Sequence, residues 1–492
     1  MASNLHSVNK LSSLLEGIVD SEISEELSVT GLSLDSRSVK RGELFLGMPG
    51  HSQDGRSYLR QAVSRGARAV LIEKQGNPIQ ECEVPFYQVS NLRENIGFIA
   101  NRFYGSPSQF LCVIGVTGTN GKTTCAHFAA QALNLLGGVC GLIGTLGIGR
   151  YDDLIPSSLT TPDPIVLQGE LAAMVEGGMD TVCMEVSSHA LDQARVKGID
   201  FDIAVFTNLS RDHLDYHGDM EKYAAAKFSL FNDYQIKNVI INVSDPYGVK
   251  FLKAGIKGKV WTFGLDNHAD VYPSSTEILE RGIRLEIVTP DGPINFEVPV
   301  LGRLNVVNLV TVVVILLSLG KSLASIERVM PQLRSINGRM ELITEPNFPI
   351  NVVLDYAHTP AALECALSSL REHTSNNIWC VFGCGGERDT GKRLEMGSVA
   401  DGLADRIVLT NDNPRSENPH TILDHIAAGI LDHEAVKIPD REKAIEYAIS
   451  NANVGDLVLI AGKGHEVDQV LETGPRPFSD RFVVNKILEA IC

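Results

Sequence analysis

The sequence predicts an α/β protein of three domains, on three observations. Its 492 residues fit two to four domains of about 150 residues each, with three the natural number. A strand-like run from Leu111 to Ile114 passes through a glycine-rich turn into a helix-compatible run from Cys125 to Leu136. Two series of short apolar runs then follow, each run ending in polar and charged residues, which is the alternation of parallel sheets with helical crossovers. The expected boundaries are 1–107, 108–336 and 337–492.

Composition narrows the function classes. With 43 Lys and Arg against 60 Asp and Glu, the net charge is −17, which argues against a nucleic-acid or anionic-membrane binder. Any anionic ligand must then be held by local basic residues and helix ends. The nine cysteines are scattered, with no C-x-x-C spacing, as expected of reduced thiols in a cytoplasmic protein. Met1 to Leu15 is polar and has no secretory core. The run Val306 to Leu319 is too short for a bilayer and is expected to be a buried helix.

In the first domain, Leu34-Asp35-Ser36-Arg37 reads as a polar turn beside a strand, solvated on spacing alone. Ala62-Val63 through Ala69-Val70-Leu71 reads as helix, turn and strand, and Tyr104 to Ser108 as a linker.

The second domain opens on Gly115-Val116-Thr117-Gly118-Thr119-Asn120-Gly121-Lys122-Thr123-Thr124. Strand, glycine turn, Lys-Thr-Thr and helix make a P-loop-type cradle for a nucleoside triphosphate, because backbone N–H groups and a helix N-terminus converge on the phosphates. Lys122 would reach the terminal phosphates and Thr123 would offer a hydroxyl to magnesium. Val116 stands where the strict motif has its first glycine, so the loop is a tighter G-T-N-G-K-T-T. Further on, Thr181 to Met184 runs into Glu185-Val186-Ser187-Ser188-His189, and Ile203 to Phe206 into Thr207-Asn208-Leu209-Ser210-Arg211-Asp212-His213. Parallel strands carry ligand sites at their carboxyl ends, so Glu185 and His213 are candidates to hold magnesium on the triphosphate. Zinc at His213 and His217 is excluded for want of a third ligand nearby. Thr160-Thr161-Pro162 reads as a helix cap, Lys227 as a solvated helix position, and Asn305 with Asn308 as one helical face.

In the third domain, four strands end in Asp355-Tyr356-Ala357-His358, Gly383-Cys384-Gly385-Gly386-Glu387-Arg388, Asn411-Asp412-Asn413-Pro414-Arg415 and Ala461-Gly462-Lys463-Gly464-His465-Glu466. That is a Rossmann-like domain with a crowded site at one sheet edge. Gly383 to Gly386 lacks the G-x-G-x-x-G arrangement, so no dinucleotide is expected. Cys384 and Ser187 lack a nucleophile elbow or matched base and read as loop residues.

The motifs at 118–124, 185–189, 208–213, 305/308, 34–37, 160–163, 412–415 and 461–466 together resemble the Mur ligases over nearly the whole chain. Within that family they are similar to the members that add the third residue of the peptidoglycan peptide. The resemblance implies an ATP-dependent amide-bond-forming ligase with magnesium. Its substrates would be UDP-N-acetylmuramoyl-L-alanyl-D-glutamate and meso-diaminopimelate, with an acyl phosphate between them, acting as a monomer with no nucleic-acid or membrane partner. Asp412-Asn413-Pro414-Arg415 favours diaminopimelate over lysine, since an arginine fork pairs with the extra carboxylate.

The same resemblance implies residue roles. Gly118, Thr119, Asn120, Gly121, Lys122, Thr123, Thr124, Asn305 and Arg339 would bind ATP. Leu34, Ser36, His51, Ser52 and Gln53 would line the uridine site, and Thr160, Thr161, Pro162, Ser187, Gln193 and Arg195 would contact the muramoyl dipeptide. Arg388, Asp412, Asn413, Pro414, Arg415, Gly462 and Glu466 would surround diaminopimelate. Lys227 would be carbamylated and join Thr123, Glu185 and His213 around the metal, with Lys122, Lys227, Glu185 and His213 as the catalytic set. Two other readings compete. A folylpolyglutamate synthase leaves Asp35 to Arg37 and Asp412 to Arg415 unexplained. A P-loop switch or motor would turn over ATP without an amine acceptor.

Overall fold

The computed structural model describes residues 9–20, 22–50, 53–74, 82–345 and 348–491. The chain packs as two compact units, Met1–Val271 with Thr311–Lys321, and Tyr272–Val310 with Ser322–Cys492.

The first unit holds two principal sheets. Strands β1 (Leu32–Ser33), β2 (Leu44–Gly47), β3 (Ala69–Glu73) and β4 (Phe86–Val89) form a parallel four-stranded sheet in sequence order. The helix before β3 runs Leu59–Ser64, and α1 (Leu92–Phe103) buries Leu92, Ile96, Ile99 and Phe103. The expected linker, Tyr104 to Ser108, runs into a 3-10 turn, Pro107–Phe110.

The larger sheet has eight strands: β5 (Cys112–Thr117), β6 (Cys140–Gly144), β7 (Gly147–Arg150), β8 (Asp153–Ile155), β9 (Thr181–Glu185), β10 (Ile203–Phe206), β11 (Asn238–Asn242) and β12 (Lys259–Phe263), in the order β8-β7-β6-β9-β5-β10-β11-β12. β5 lies between parallel partners β9 and β10. Covered on both faces, a central parallel strand is apolar throughout, as Val113, Ile114 and Val116 are. The connection after β5 leads to β6 on one side, and β10 lies on the other, so the carboxyl end of β5 is a topological switch point. Helix α2 (Lys122–Leu135) starts three residues before the apolar run predicts. It is followed by α3 (Pro164–Glu176), α4 (Ser188–Asp192) and α5 (Met220–Asn232). The N-cap of α3 is Asp163, whose carboxylate accepts from Ile165 N and Val166 N. The expectation that the threonine pair caps this helix is therefore corrected.

The second unit opens with an antiparallel sheet of β13 (Tyr272–Leu279), β14 (Gly282–Thr289) and β15 (Gly292–Val298). Helix α6 (Leu304–Ser318), of which residues 304–310 belong to this unit and 311–318 to the first, is the buried apolar helix that the sequence predicts, with Leu309, Val310, Val312, Val313 and Val314 inaccessible. A six-stranded sheet follows, of β16 (Glu341–Leu342), β17 (Asn351–Asp355), β18 (Ile378–Phe382), β19 (Arg406–Leu409), β20 (Ala435–Lys437) and β21 (Leu457–Ala461), in the order β16-β17-β21-β18-β19-β20. The four strands read from the sequence are its parallel core, so their loops emerge together at the carboxyl edge. Helices α7 (Pro360–Arg371), α8 (Gly391–Leu403), α9 (Pro419–Ala427), α10 (Arg441–Asn451) and α11 (Asp480–Ile491) complete the unit, with a hairpin of β22 (Asp468–Leu471) and β23 (Gly474–Pro477).

Candidate active site

The phosphate loop spans the end of β5 and the start of α2. Gly121 takes φ +84° at the helix N-cap, a left-handed conformation that glycine adopts without strain. A Cβ on Gly118 would strike Thr207 Oγ1 on the strand-end loop after β10. That loop supports the phosphate loop from beneath: Thr119 N donates to Asn208 O at 2.9 Å, Asn120 N to Asn208 Oδ1 at 2.9 Å, and Thr207 Oγ1 to Asn120 O at 2.7 Å. Lys122 Nζ folds back onto Gly118 O and Thr119 O, at 2.8 and 2.9 Å. Desolvation pulls its ammonium below the ordinary lysine range, against the opposing charges of Glu185 and Asp212. Thr124 lies in the first turn of α2.

Glu185, 2% exposed at the end of β9, joins the phosphate loop to the next loop. Its carboxylate accepts from Thr123 Oγ1 at 2.8 Å and from Thr145 N at 2.8 Å. Gly144 leaves room for it, since a Cβ there would collide with Glu185 Oε1. Thr145 Oγ1 in turn contacts Thr160 Oγ1 at 3.0 Å. Thr161 is buried and donates to Glu185 O at 2.7 Å, Ser187 N donates to Thr161 Oγ1 at 3.2 Å, and Arg195 Nη1 donates to Thr161 O at 2.9 Å. Arg195 also grips Gln193 Oε1 through Nε and Nη2, at 3.1 and 2.7 Å. Thr160, Thr161, Pro162, Ser187, Gln193 and Arg195 thus stand on connected backbone. Ser187 Oγ caps α4 by accepting from Ala190 N, in keeping with a loop residue and not a nucleophile.

Lys227 overturns its expectation as a solvated helix position. It is 1% exposed, its Nζ donates to Gly118 O at 2.9 Å, and it stands 4.6 Å from the centroid of the Tyr223 ring. Burial, and then the nearby charge of Lys122, hold its amine well below the usual lysine range. Burying an ammonium costs several kcal/mol and a ring face returns only about 2 kcal/mol, which is the physical reason the shift is downward. His213 carries φ +52° and is tied to Asp212, with Nε2 3.5 Å from Oδ2. Its ring packs edge-on against His189 at 4.8 Å. No group of three or more His, Cys, Asp or Glu suited to a metal occurs among the described residues. Thr123 and Glu185 nonetheless bring a hydroxyl and a buried carboxylate within 2.8 Å of each other, hard oxygen donors of the kind magnesium takes.

A cavity of about 460 Å³ opens in the N-terminal sheet, lined by Leu34, Asp35, Ser36, Arg37, Phe45, Leu46, Met48, Gly50, Gln53, Gly55, Tyr58 and Gln61. Leu34, Phe45, Leu46 and Met48 are its apolar lining residues, and Ser36 Oγ donates to Gln61 Oε1 at 2.7 Å. The turn at 35–37 divides: Asp35 and Arg37 pair at 2.8 Å in solvent, while Ser36 is buried. His51 and Ser52 lie outside the described residues.

In the second unit the C-terminal loops interlock. Asn413 Nδ2 donates to Glu466 Oε2 at 3.1 Å, and the inaccessible Lys463 Nζ donates to Asn413 Oδ1 at 3.1 Å and Glu466 Oε2 at 2.7 Å. Burial raises the Glu466 carboxyl, but the Lys463 hydrogen bond and charge outweigh it and hold it below its ordinary value. Burial pushes the Asp412 carboxyl up despite Arg441 and Lys463. Gly462, at φ +113°, leaves space for Asp412, whose Oδ2 would lie 2.7 Å from a Cβ there. Arg415 Nη1 donates to Gly386 O at 2.7 Å, Pro414 is buried, and Arg388 is exposed. The Cys384 thiol is buried against Met396 and pushed up to about 12, which leaves it unreactive. Arg339 stacks on Tyr356 at 4.9 Å, with its Nε buried and without a hydrogen-bond partner. Asn305 Nδ2 donates to Leu301 O at 2.7 Å and Asn308 Nδ2 to Asn305 Oδ1 at 2.9 Å.

Sequence reasoning gave no role to Thr145, Tyr223, Lys463, Arg393 or Glu417. Lys463 stands inside a motif already singled out and was within reach, whereas the others are defined by contacts between distant segments.

Three consecutive domain models match the chain: the Mur ligase family catalytic domain at 28–104, the Mur ligase middle domain at 116–316, and the Mur ligase glutamate ligase domain at 338–464. The chain belongs to the Mur ligase family. Its similarity extends to UDP-N-acetylmuramoyl-L-alanyl-D-glutamate--2,6-diaminopimelate ligase of Coxiella burnetii, 45% identical over 97% of this chain and 99% of that protein. The ligase of the same name from Pseudomonas aeruginosa is 45% identical over 94% and 96%. A solved structure of an enzyme with this name superposes with a TM-score of 0.78 at 34% identity, covering 99% of both chains. Folylpolyglutamate synthase of Mycobacterium tuberculosis shares the fold alone, with a TM-score of 0.58 and 18% identity over 75% of this chain.

Proposed function

We propose that the chain joins the D-glutamate carboxylate of UDP-N-acetylmuramoyl-L-alanyl-D-glutamate to an amine of meso-2,6-diaminopimelate, cleaving ATP to ADP and phosphate. The observation that carries this is near-complete alignment at 45% identity with ligases of that name. The loop at 118–124 and Arg415 fit the same reading, as triphosphate cradle and carboxylate partner.

In this reading a carboxylate oxygen of D-glutamate attacks the γ-phosphorus, and the bond to ADP breaks to leave an acyl phosphate. The diaminopimelate amine then attacks the acyl carbon, phosphate departs, and the nitrogen loses a proton. Lys122 and the N–H groups at the start of α2 neutralise the phosphates, so that two anions meet without repulsion. Arg195, Thr161 and Ser187 hold the dipeptide, and the cavity around Leu34, Ser36 and Gln53 takes the uridine end. Gln193 and Thr160 stand beside them on the same connected backbone.

Magnesium, when bound, would draw charge from the phosphates, with Thr123, Glu185, His213 and carbamylated Lys227 holding it. An amine must be neutral to add to carbon dioxide, and burial moves Lys227 toward that form. Asp412, Asn413, Arg415, Gly462 and Glu466, with Arg388, form the acceptor site, and Arg339 and Asn305 contribute to ATP. No helix among the described residues is long and apolar enough to cross a membrane. Action in the cytoplasm, as a monomer, on peptidoglycan precursors belongs to the same reading.

The test is phosphate release with ATP, magnesium and the UDP-dipeptide, with meso-diaminopimelate or L-lysine supplied in parallel. Release that depends on diaminopimelate is the expected result. Preference for lysine would leave a ligase with another acceptor, and indifference to both amines would sink the ligase reading.

A further inference from the structure

Two loops of the second unit carry Arg388 and Arg415, and both are held in unfavourable backbone. Glu387 sits at φ +54° and Arg415 at φ +55°, left-handed values that side chains with a Cβ rarely adopt. Such conformations persist only where surrounding contacts over-determine them. Here the contacts converge on one side chain. Glu417 accepts from Arg393 Nη1 at 2.6 Å, from Arg393 Nη2 at 2.7 Å and from Glu387 N at 3.1 Å. Arg393, inaccessible on α8, also donates to His425 Nδ1 at 3.1 Å and Gly385 O at 3.3 Å. The loops also meet directly, through Gly386 N on Asn413 O at 2.9 Å and a bond between Ser416 and Glu387. Contact is close enough that a Cβ on Gly386 would strike Pro414 O.

Arg393 is inaccessible and Glu417 a quarter exposed, and an ion pair with a buried partner gains little in stability over apolar side chains, so its presence here is better explained by the geometry it fixes. We propose that the Arg393–Glu417 pair is a positioning element for acceptor specificity, setting the loops at 383–388 and 411–417 so that their arginines face the far carboxylate of the diamino acid. This rests on the diaminopimelate reading above. Neither residue touches the acceptor; both act through Arg388 and Arg415. An acceptor without that carboxylate, such as lysine, is indifferent to the arrangement.

The experiment compares wild type, Glu417→Gln and Glu417→Asp in steady-state phosphate release with meso-diaminopimelate and with L-lysine, recording KM for each substrate. Glu417→Asp keeps the charge opposite Arg393, and so the fold, but is one methylene too short to span Arg393 and Glu387 N. The expected result is an about tenfold rise in KM for diaminopimelate, KM for ATP and the UDP-dipeptide unchanged, and preference over lysine reduced by the same factor. An unchanged preference, or all three KM values rising together, overturns the proposal. If wild type itself ignores diaminopimelate, the functional reading falls and takes this inference with it.

Discussion

Lys122 Nζ and Lys227 Nζ both donate to the carbonyl oxygen of Gly118, at 2.8 and 2.9 Å. Two ammonium groups on one acceptor repel, and burial lowers the pKa of both lysines, with the Lys122 charge lowering Lys227 further. Lys122 and Lys227 are thereby coupled through a single loop carbonyl.

The first prediction concerns carbon dioxide. Activity should fall in buffer stripped of carbon dioxide and recover with bicarbonate, while Lys227→Gln should be poor in both. An enzyme indifferent to bicarbonate would count against carbamylation. The pH sign follows: Lys227 has its folded pKa below the unfolded value, so the penalty for burying it is full at low pH and relieved as pH rises. Bicarbonate response should therefore strengthen on the alkaline side.

In the proposed reading Lys122 meets the terminal phosphates, and replacing it by alanine removes that charge. We expect kcat/KM for ATP to drop roughly a hundredfold or more, with the fold retained by thermal melting. Wild-type turnover in Lys122→Ala would exclude this loop from the chemistry.

In the proposed reading Arg415 is a charged hydrogen-bond partner of the acceptor, so Arg415→Ala should raise KM for diaminopimelate by roughly 10- to 100-fold and leave KM for ATP unaltered. Equal losses on every substrate would show that Arg415 is needed only for local structure.

Arg441 and Asp480 form an inaccessible ion pair, with Nε and Nη2 each 2.7 Å from a carboxylate oxygen. Arg441 Nη2 also donates to Ala461 O at 3.0 Å, at the end of β21. Asp480→Ala should cost about 3–5 kcal/mol in urea unfolding, since it strands a buried guanidinium. A loss below about 1 kcal/mol would mean that water reaches the site.

Acid stability gives the last prediction. Glu417 is held down to about 2 by Arg393, and Asp401 to about 2 because three backbone N–H groups and His433 outweigh its burial. Both folded pKa values lie below the unfolded ones, 4.5 and 3.8, so their stabilisation is present above those values and is lost as pH falls toward about 2. Glu417→Gln should shift the acid-unfolding midpoint upward in a circular dichroism titration, and an unmoved midpoint would remove Glu417 from the balance.

Much of the architecture was readable because it is local. Apolar runs ending in Glu185, Asn208, Asp355 and Gly462 mark parallel strands and their carboxyl ends, and glycines at 118 and 121 mark the turn between β5 and α2. The resemblance in motifs pointed further, to the acceptor and to Lys227, where spacing alone read a solvated helix position. The cap of α3 is not legible in the sequence because Asp163 and the threonines compete within four residues, and only the observed hydrogen bonds separate them.

What the sequence alone determined is the order of strands, loops and helices and the chemical inventory at each strand end, since propensity and periodicity act over a few residues. Tertiary structure decided which groups share an environment. It buried Lys227 beside Lys122, set Glu185 between Thr123 and Thr145, and clamped Arg393 to Glu417 across 24 residues. Protonation, strain and hydrogen-bond partners depend on desolvation and contact between distant segments, and those exist only once the sheets have formed.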